Sequence, residues 1–125
     1  MENIICPQKD FPLLKRYKEH FDIGENTVFA YDGKIYTNNP LPDCLLVHEK
    51  VHLRQQEEMG VNEWVEKYLT DEEFRLEVEI EAYREQLKSI HNNSKKRMWR
   101  KKSARDLSSP LYGSIISYDE AMQNL

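Results

Sequence analysis

The chain has 125 residues, of which 39% are hydrophobic and 32% charged, and a net charge of −4. That size allows one domain with a modest core and excludes a large two-lobed protein, so any cleft is shallow or shared. No apolar run is long enough to span a bilayer, no signal-peptide pattern follows Met1, and two cysteines, Cys6 and Cys44, are too few for a disulfide framework, so one cytoplasmic domain over residues 1–125 is expected.

In chain order, a first helix is expected at about 11–21, where Pro12 suits an early helical position and Leu13, Leu14 and Tyr17 recur at helical spacing. Residues 27–31 and 34–37 alternate β-forming side chains around Asp32-Gly33, which signals a two-stranded hairpin. Residues 38–43 then supply capping and first-turn chemistry for a helix over about 42–59, stopped by Gly60. This helix contains His48-Glu49-Lys50-Val51-His52, the pattern H-E-x-x-H, with Leu45, Leu46, Val47, Val51 and Leu53 around it as a core-packing surround. Residues four apart on a helix project from one face, so both imidazoles can reach a single metal ion while Glu49 leans over its open side. Buried on one strip, two histidines and a glutamate need polar partners, and a metal satisfies all three together; structural histidines satisfied by other groups are the competing reading.

A short helix is expected at 61–69, and Thr70-Asp71-Glu72-Glu73 reads as a capping box with Thr70 as N-cap, opening the longest helix to about residue 91. On it Leu76, Ile80, Tyr83, Leu87 and Ile90 fall within about 40° of one direction, the expected principal buried face. Two histidines leave zinc short of the three protein ligands usual at catalytic sites. Glu79 lies about 60° from the buried direction, against about 100° for Glu77 and about 140° for Glu81, and is the natural inward carboxylate. Ala82 would leave room for a second helix to approach. A second apolar strip of Phe74, Val78 and Ala82 passes near Glu81, which keeps that residue open as the alternative ligand. Cys44, one turn before His48, is the residue that would close a structural site as a fourth ligand; otherwise it is a small buried side chain.

Asn92-Asn93-Ser94 interrupts the helix, and the charge then changes sign: residues 95–105 hold seven basic and no acidic side chains, whereas residues 1–94 hold 11 basic and 19 acidic. A solvated segment that neutralises nearby acidic helices is expected over a nucleic-acid contact, because no aromatic or glycine pattern of a nucleic-acid module accompanies the block. The tail, 106–125, resists assignment. The whole reads as an α+β domain, mostly helical, with one β-hairpin packed beside two long helices.

With His48-Glu49-x-x-His52 on one helix and Glu79-Ile80-Glu81-Ala82-Tyr83 on the next long one, the chain resembles the gluzincin branch of zinc metallopeptidases. It looks particularly like the compact zincin-like proteins of phages and bacteria, whose motif runs on into a Gln-containing turn, here Leu53-Arg54-Gln55-Gln56. The likeness covers about residues 45–86. Related groups write the ligand helix as E-x-x-A followed by Asp or Asn, and aligning that Ala with Ala82 selects Glu79. Tyr83 stands where those relatives place the Asp or Asn that hydrogen-bonds a ligand histidine. The resemblance implies Zn²⁺ held by His48, His52 and Glu79, Glu49 as the general base of peptide-bond hydrolysis, and a peptide or protein substrate on the edge of the hairpin. It makes Tyr83 a candidate for orienting a ligand, and Tyr112 a candidate for stabilising the oxyanion if the tail folds back over the site. The alternative is a zincin-like domain without catalysis that binds a metal or a protein partner.

Overall fold

The computed structural model describes residues 4–125, so the first three residues of the expected domain lie outside the described residues. In chain order these form β1 (Ile5–Cys6), a 3-10 turn (Gln8–Asp10), α1 (Leu14–Lys18), β2 (Phe29–Tyr31), β3 (Lys34–Tyr36) and α2 (Asp43–Met59). There follow α3 (Val61–Thr70), α4 (Glu72–Lys88), α5 (Asn93–Leu107), a second 3-10 turn (Pro110–Tyr112) and α6 (Tyr118–Asn124). The fold is α+β and mostly helical.

Asp32 and Gly33 both take positive φ, 48° and 81°, as a two-residue type I′ turn demands, and they set the register Tyr31↔Lys34, Ala30↔Ile35, Phe29↔Tyr36. The expected hairpin gains a third strand: β1 pairs parallel to β3, giving the order β1-β3-β2. Two residues are too few to display a strand period, so sequence pattern could not signal β1. Strand β2 is left at the sheet's edge against α2, where Gln56 Nε2 donates to Ala30 O at 2.8 Å and Gln56 Oε1 accepts from Asp32 N at 3.0 Å.

The first helix is shorter than expected, Leu14–Lys18, because Phe11 leaves the helical path to stack on Phe29 with ring centroids 4.4 Å apart. Asp71, not Thr70, caps α4: Asp71 Oδ1 accepts from Phe74 N at 3.1 Å, while Thr70 closes α3 and donates to Glu66 O at 2.7 Å. Asn92 caps α5, accepting from Lys95 N at 2.9 Å, so the whole basic segment 95–105 is helical. The unassigned tail packs back as α6, with Ala121 fully buried in a cluster with Ala104 and Leu107.

Of the expected buried face of α4 and its C-terminal end, Tyr83, Leu87 and Ile90 are buried, but the stripe is shifted away from Leu76 and Ile80. The buried side chains of α4 are Arg75, Val78, Glu79, Ala82, Tyr83, Gln86 and Leu87, whereas Leu76 and Ile80 are half-buried and pack toward α5 and α6. A wheel weighted by hydropathy points at the aliphatic side; here polar groups face inward and shift the stripe, placing Glu79 on the buried face rather than at its border. Fully buried Ala82 lets α2 and α4 approach, and these two helices form the most extensive pairing in the molecule. An aromatic core of Phe11, Tyr17, Phe29, Trp64 and Tyr68 and a separate cluster of Tyr83, Ala104, Leu107, Ile116 and Ala121 make up most of the rest of the interior. No helix among the described residues is long and apolar enough to cross a membrane.

Candidate metal centre

His48 and His52 stand one turn apart on α2 and face Glu79 from the middle of α4; all three are at most 4% exposed. Glu79 Oε1 lies 3.1 Å from Nε2 of each imidazole. The three ligand atoms fall within 4.8 Å of one another, the only such group of His, Cys, Asp or Glu among the described residues, so this cluster could hold a metal ion. Neither other candidate belongs to it. Glu81 turns outward to Arg54, 3.1 Å away, and accepts from Gln55 Nε2 at 2.7 Å. Cys44 packs with Leu87 and Ile90, where burial pushes its thiol pKa up.

Two glutamines determine what the imidazoles can do. Gln55 Nε2 donates to Val78 O at 3.1 Å and to Glu81, and Gln55 Oε1 accepts from the Trp64 indole N–H at 3.3 Å. Since an indole nitrogen only donates and those two oxygens only accept, the orientation of the amide is settled. His52 Nδ1, 2.9 Å from the same Oε1, must therefore carry a proton, which leaves Nε2 to point its lone pair inward. On the other histidine, Gln86 Oε1 sits 2.9 Å from His48 Nδ1, placed to accept from it. Two neutral imidazoles and a carboxylate so arranged would face one another with lone pairs alone, a repulsion that a proton or a metal cation relieves. The donor set therefore fits a divalent ion.

Without an ion, charge does the job. Burial alone would raise the Glu79 pKa, but the His52 charge and the hydrogen bonds from both imidazoles hold it well below the ordinary carboxylate range. Burial lowers the His52 pKa, yet the Glu79 charge and hydrogen bond outweigh it and raise it to about 9. Glu79 Oε2 is taken by the Tyr68 hydroxyl, which donates to it, so Oε1 alone remains for an ion. Burial and the Glu79 charge raise the Tyr68 pKa well above 10.0, and the phenol stays protonated.

Glu49 is buried beside the two histidines on the wall of a cavity of about 230 Å³, with no hydrogen-bond partner among the described residues. Burial raises its pKa, with a further contribution from Glu79, against lowering by both histidines. The cavity runs from β2 to α5 with the triad in its wall. Tyr83 does not hydrogen-bond a ligand histidine. Its ring packs edge-on against His48, 4.4 Å between centroids, and Gln86, three residues further along α4, takes the orienting role expected of Tyr83. The tail does fold back: Tyr112 lines the cavity with its hydroxyl 3.0 Å from that of Tyr83. Both phenols have pKa values raised well above 10.0, first by burial and then by Glu79. One hydrogen bond joins two hydroxyls, so one O–H of the pair remains available to a ligand. Arg75, buried and without an ion-pair partner among the described residues, holds this arrangement from behind. It donates to Tyr68 O at 2.6 Å and Tyr112 O at 3.1 Å.

Sequence reading missed Gln86, Gln55 and Tyr68 as supporting groups. Gln86 lies seven residues beyond Glu79, two helical turns along the same face, and Gln55 lies three beyond His52, so helical spacing could have found both. Tyr68 carries no such signal, because its approach depends on how α3 folds against α4. No model of a known protein family, no curated protein and no solved structure matches the chain.

Proposed function

We propose that the chain is a small zincin-type peptidase, with zinc held by His48, His52 and Glu79 and Glu49 as general base. The observation that carries this reading is the fixed tautomer of His52, paired with the matching arrangement at His48. With the two glutamines on the outer ring nitrogens, the neutral imidazoles turn both Nε2 lone pairs toward one buried carboxylate oxygen, the arrangement in which a metal ion engages all three at once. Two imidazoles and a carboxylate suit zinc, and three ligands rather than four characterise its catalytic sites. Cys44, outside the cluster, supplies no fourth. An ion bound there supplies Lewis acidity, which makes water a nucleophile near neutral pH and polarises a carbonyl.

Glu49 then takes the proton released by the attacking water and passes it to the departing amine, a task suited to a buried carboxylate with a raised pKa. The spare O–H of the Tyr83–Tyr112 pair donates to the oxyanion as charge develops. Alternation along the hairpin turns Ala30 to the outer edge of β2, where Gln56 occupies its carbonyl and leaves its N–H for an extended peptide.

The test is Glu49→Gln in zinc-loaded protein against an unfolded protein substrate. Hydrolysis is expected to fall by about 100-fold or more while bound zinc stays near one equivalent. Full activity in that variant removes Glu49 as the base, and purified protein that neither contains nor takes up a transition metal removes the whole proposal.

A further inference from the structure

We propose that α5 forms an acidic-peptide subsite along the rim of the cleft, so that the preferred substrates carry carboxylates on the side that faces this helix; this rests on the peptidase reading above. Among the described residues, four of the eleven cations outside α5 form ion pairs: Arg16 with Glu66, Arg54 with Glu58 and Glu81, Lys67 with Glu63, Lys88 with Glu85. On α5, where the cations are most concentrated, fewer are paired. Of its seven basic side chains, Lys102 alone has an ion-pair partner among the described residues, Asp106 at 3.5 Å, although acidic residues outnumber basic ones in the chain as a whole. Both members of that pair are about half exposed, so water screens it and the ammonium is free to swing to another carboxylate.

Helical geometry shows where these cations point. Trp99, Lys102, Ser103 and Asp106 line the cavity, which identifies the inward face of α5. Lys95, Met98, Lys102 and Arg105 recur at intervals of three, four and three, so they form one stripe beside that face, about 15 Å long at the helical rise. All four are exposed, and Met98, at 55%, is the most exposed large apolar side chain among the described residues. Asn26, Thr27 and Val28, which line the cavity ahead of the β2 edge, carry no charge. A strand laid in the cleft would therefore meet a neutral backbone edge at β2 and, at α5, three cations around one methionine, with the Asp106 carboxylate paired to Lys102. At about 3.3 Å per residue the stripe spans four or five residues of extended peptide, which fits carboxylates alternating with an apolar side chain. A nucleic acid fits less well. The one aromatic side chain of this segment, Trp99, is half-buried in the cavity wall against Cys44 and Leu87, where it cannot stack on a base.

The test is binding to the zinc-loaded Glu49→Gln protein, read by fluorescence anisotropy with a labelled ten-residue peptide of alternating Glu and Leu. Its comparison is the same peptide with Gln in place of Glu. The Glu peptide is expected to bind about tenfold or more tightly, with an advantage that shrinks as salt rises. K95E/R105E should abolish that advantage. R97E/K101E, the same change of charge on the far side of the helix, should keep it within about threefold, since distance and solvent screen charges on that face. Equal binding of the two peptides, equal losses in the two double variants, or tighter binding of single-stranded DNA than of the Glu peptide would each overturn the proposal. The readout does not depend on cleavage. A Glu-selective protein whose wild type cleaves neither peptide would keep the subsite and lose the peptidase reading; unselective binding with cleavage of both would do the reverse.

Discussion

Raising the pH should tighten zinc binding at the triad by about tenfold per unit between pH 6.5 and 8.5, because the ion competes with a proton on His52. The magnitude follows from the site. In metal-free protein Glu79 raises the His52 pKa from 6.5 to about 9. At pH 7 that leaves about one molecule in a hundred with a free Nε2 lone pair, so the proton costs about 3 kcal/mol of apparent affinity at 1.36 kcal/mol per unit. The cost vanishes only as the pH passes about 9. The assay is competition with a chelator of known affinity across that range. Alongside it, calorimetry in buffers of differing ionisation enthalpy should count close to one proton released per zinc at pH 7. Affinity that stays within about twofold over the range would refute the reasoning, since it would mean that the Glu79 carboxylate does not hold a proton on His52. The same shifts determine the stability of the metal-free protein. His52, raised on folding, stabilises fully below about 6.5 and loses that contribution as pH climbs through about 9. Glu79, depressed on folding, contributes above 4.5 and loses its contribution as pH falls toward its lowered value.

The choice of third ligand is testable by paired substitutions: Glu79→Gln should eliminate stoichiometric zinc, whereas Glu81→Gln, which removes only a contact to Gln55 and Arg54, should change zinc affinity by a few-fold at most. Tyr68→Phe frees Glu79 Oε2 and should weaken zinc binding by about 10- to 100-fold with the fold intact; an unchanged dissociation constant would show that the phenol does not hold the carboxylate. Gly113, at φ 94°, would as alanine place a Cβ 3.2 Å from Arg75 Nη2. Gly113→Ala should therefore destabilise the protein by about 1–2 kcal/mol in urea denaturation, and a loss below a few tenths would mean that the tail adjusts freely.

The hairpin, the long helices and the candidate metal-binding histidines were legible from the chain because short-range physics specifies them. Asp32-Gly33 demands a primed turn, Gly60 ends α2, and H-E-x-x-H on a helix puts two imidazoles on one side whatever surrounds it. Even Glu79 over Glu81 could be favoured from angles alone, although the wheel placed the buried face of α4 too far toward Leu76 and Ile80. What the chain could not disclose is which distant groups complete the site. Gln86 and Gln55 face the outer imidazole nitrogens with their amide oxygens, Tyr68 reaches Glu79 across the α3–α4 turn, and Arg75 pins Tyr112 over the cavity from 37 residues away. Periodicity encodes the direction of a side chain relative to its own helix, whereas these contacts depend on the packing of one helix against another and on where the tail returns. Sequence alone determined that His48 and His52 share one helical face and favoured Glu79 over Glu81 as their partner; the tertiary structure decided tautomer, charge and access, because those properties belong to the space between elements rather than to any one of them.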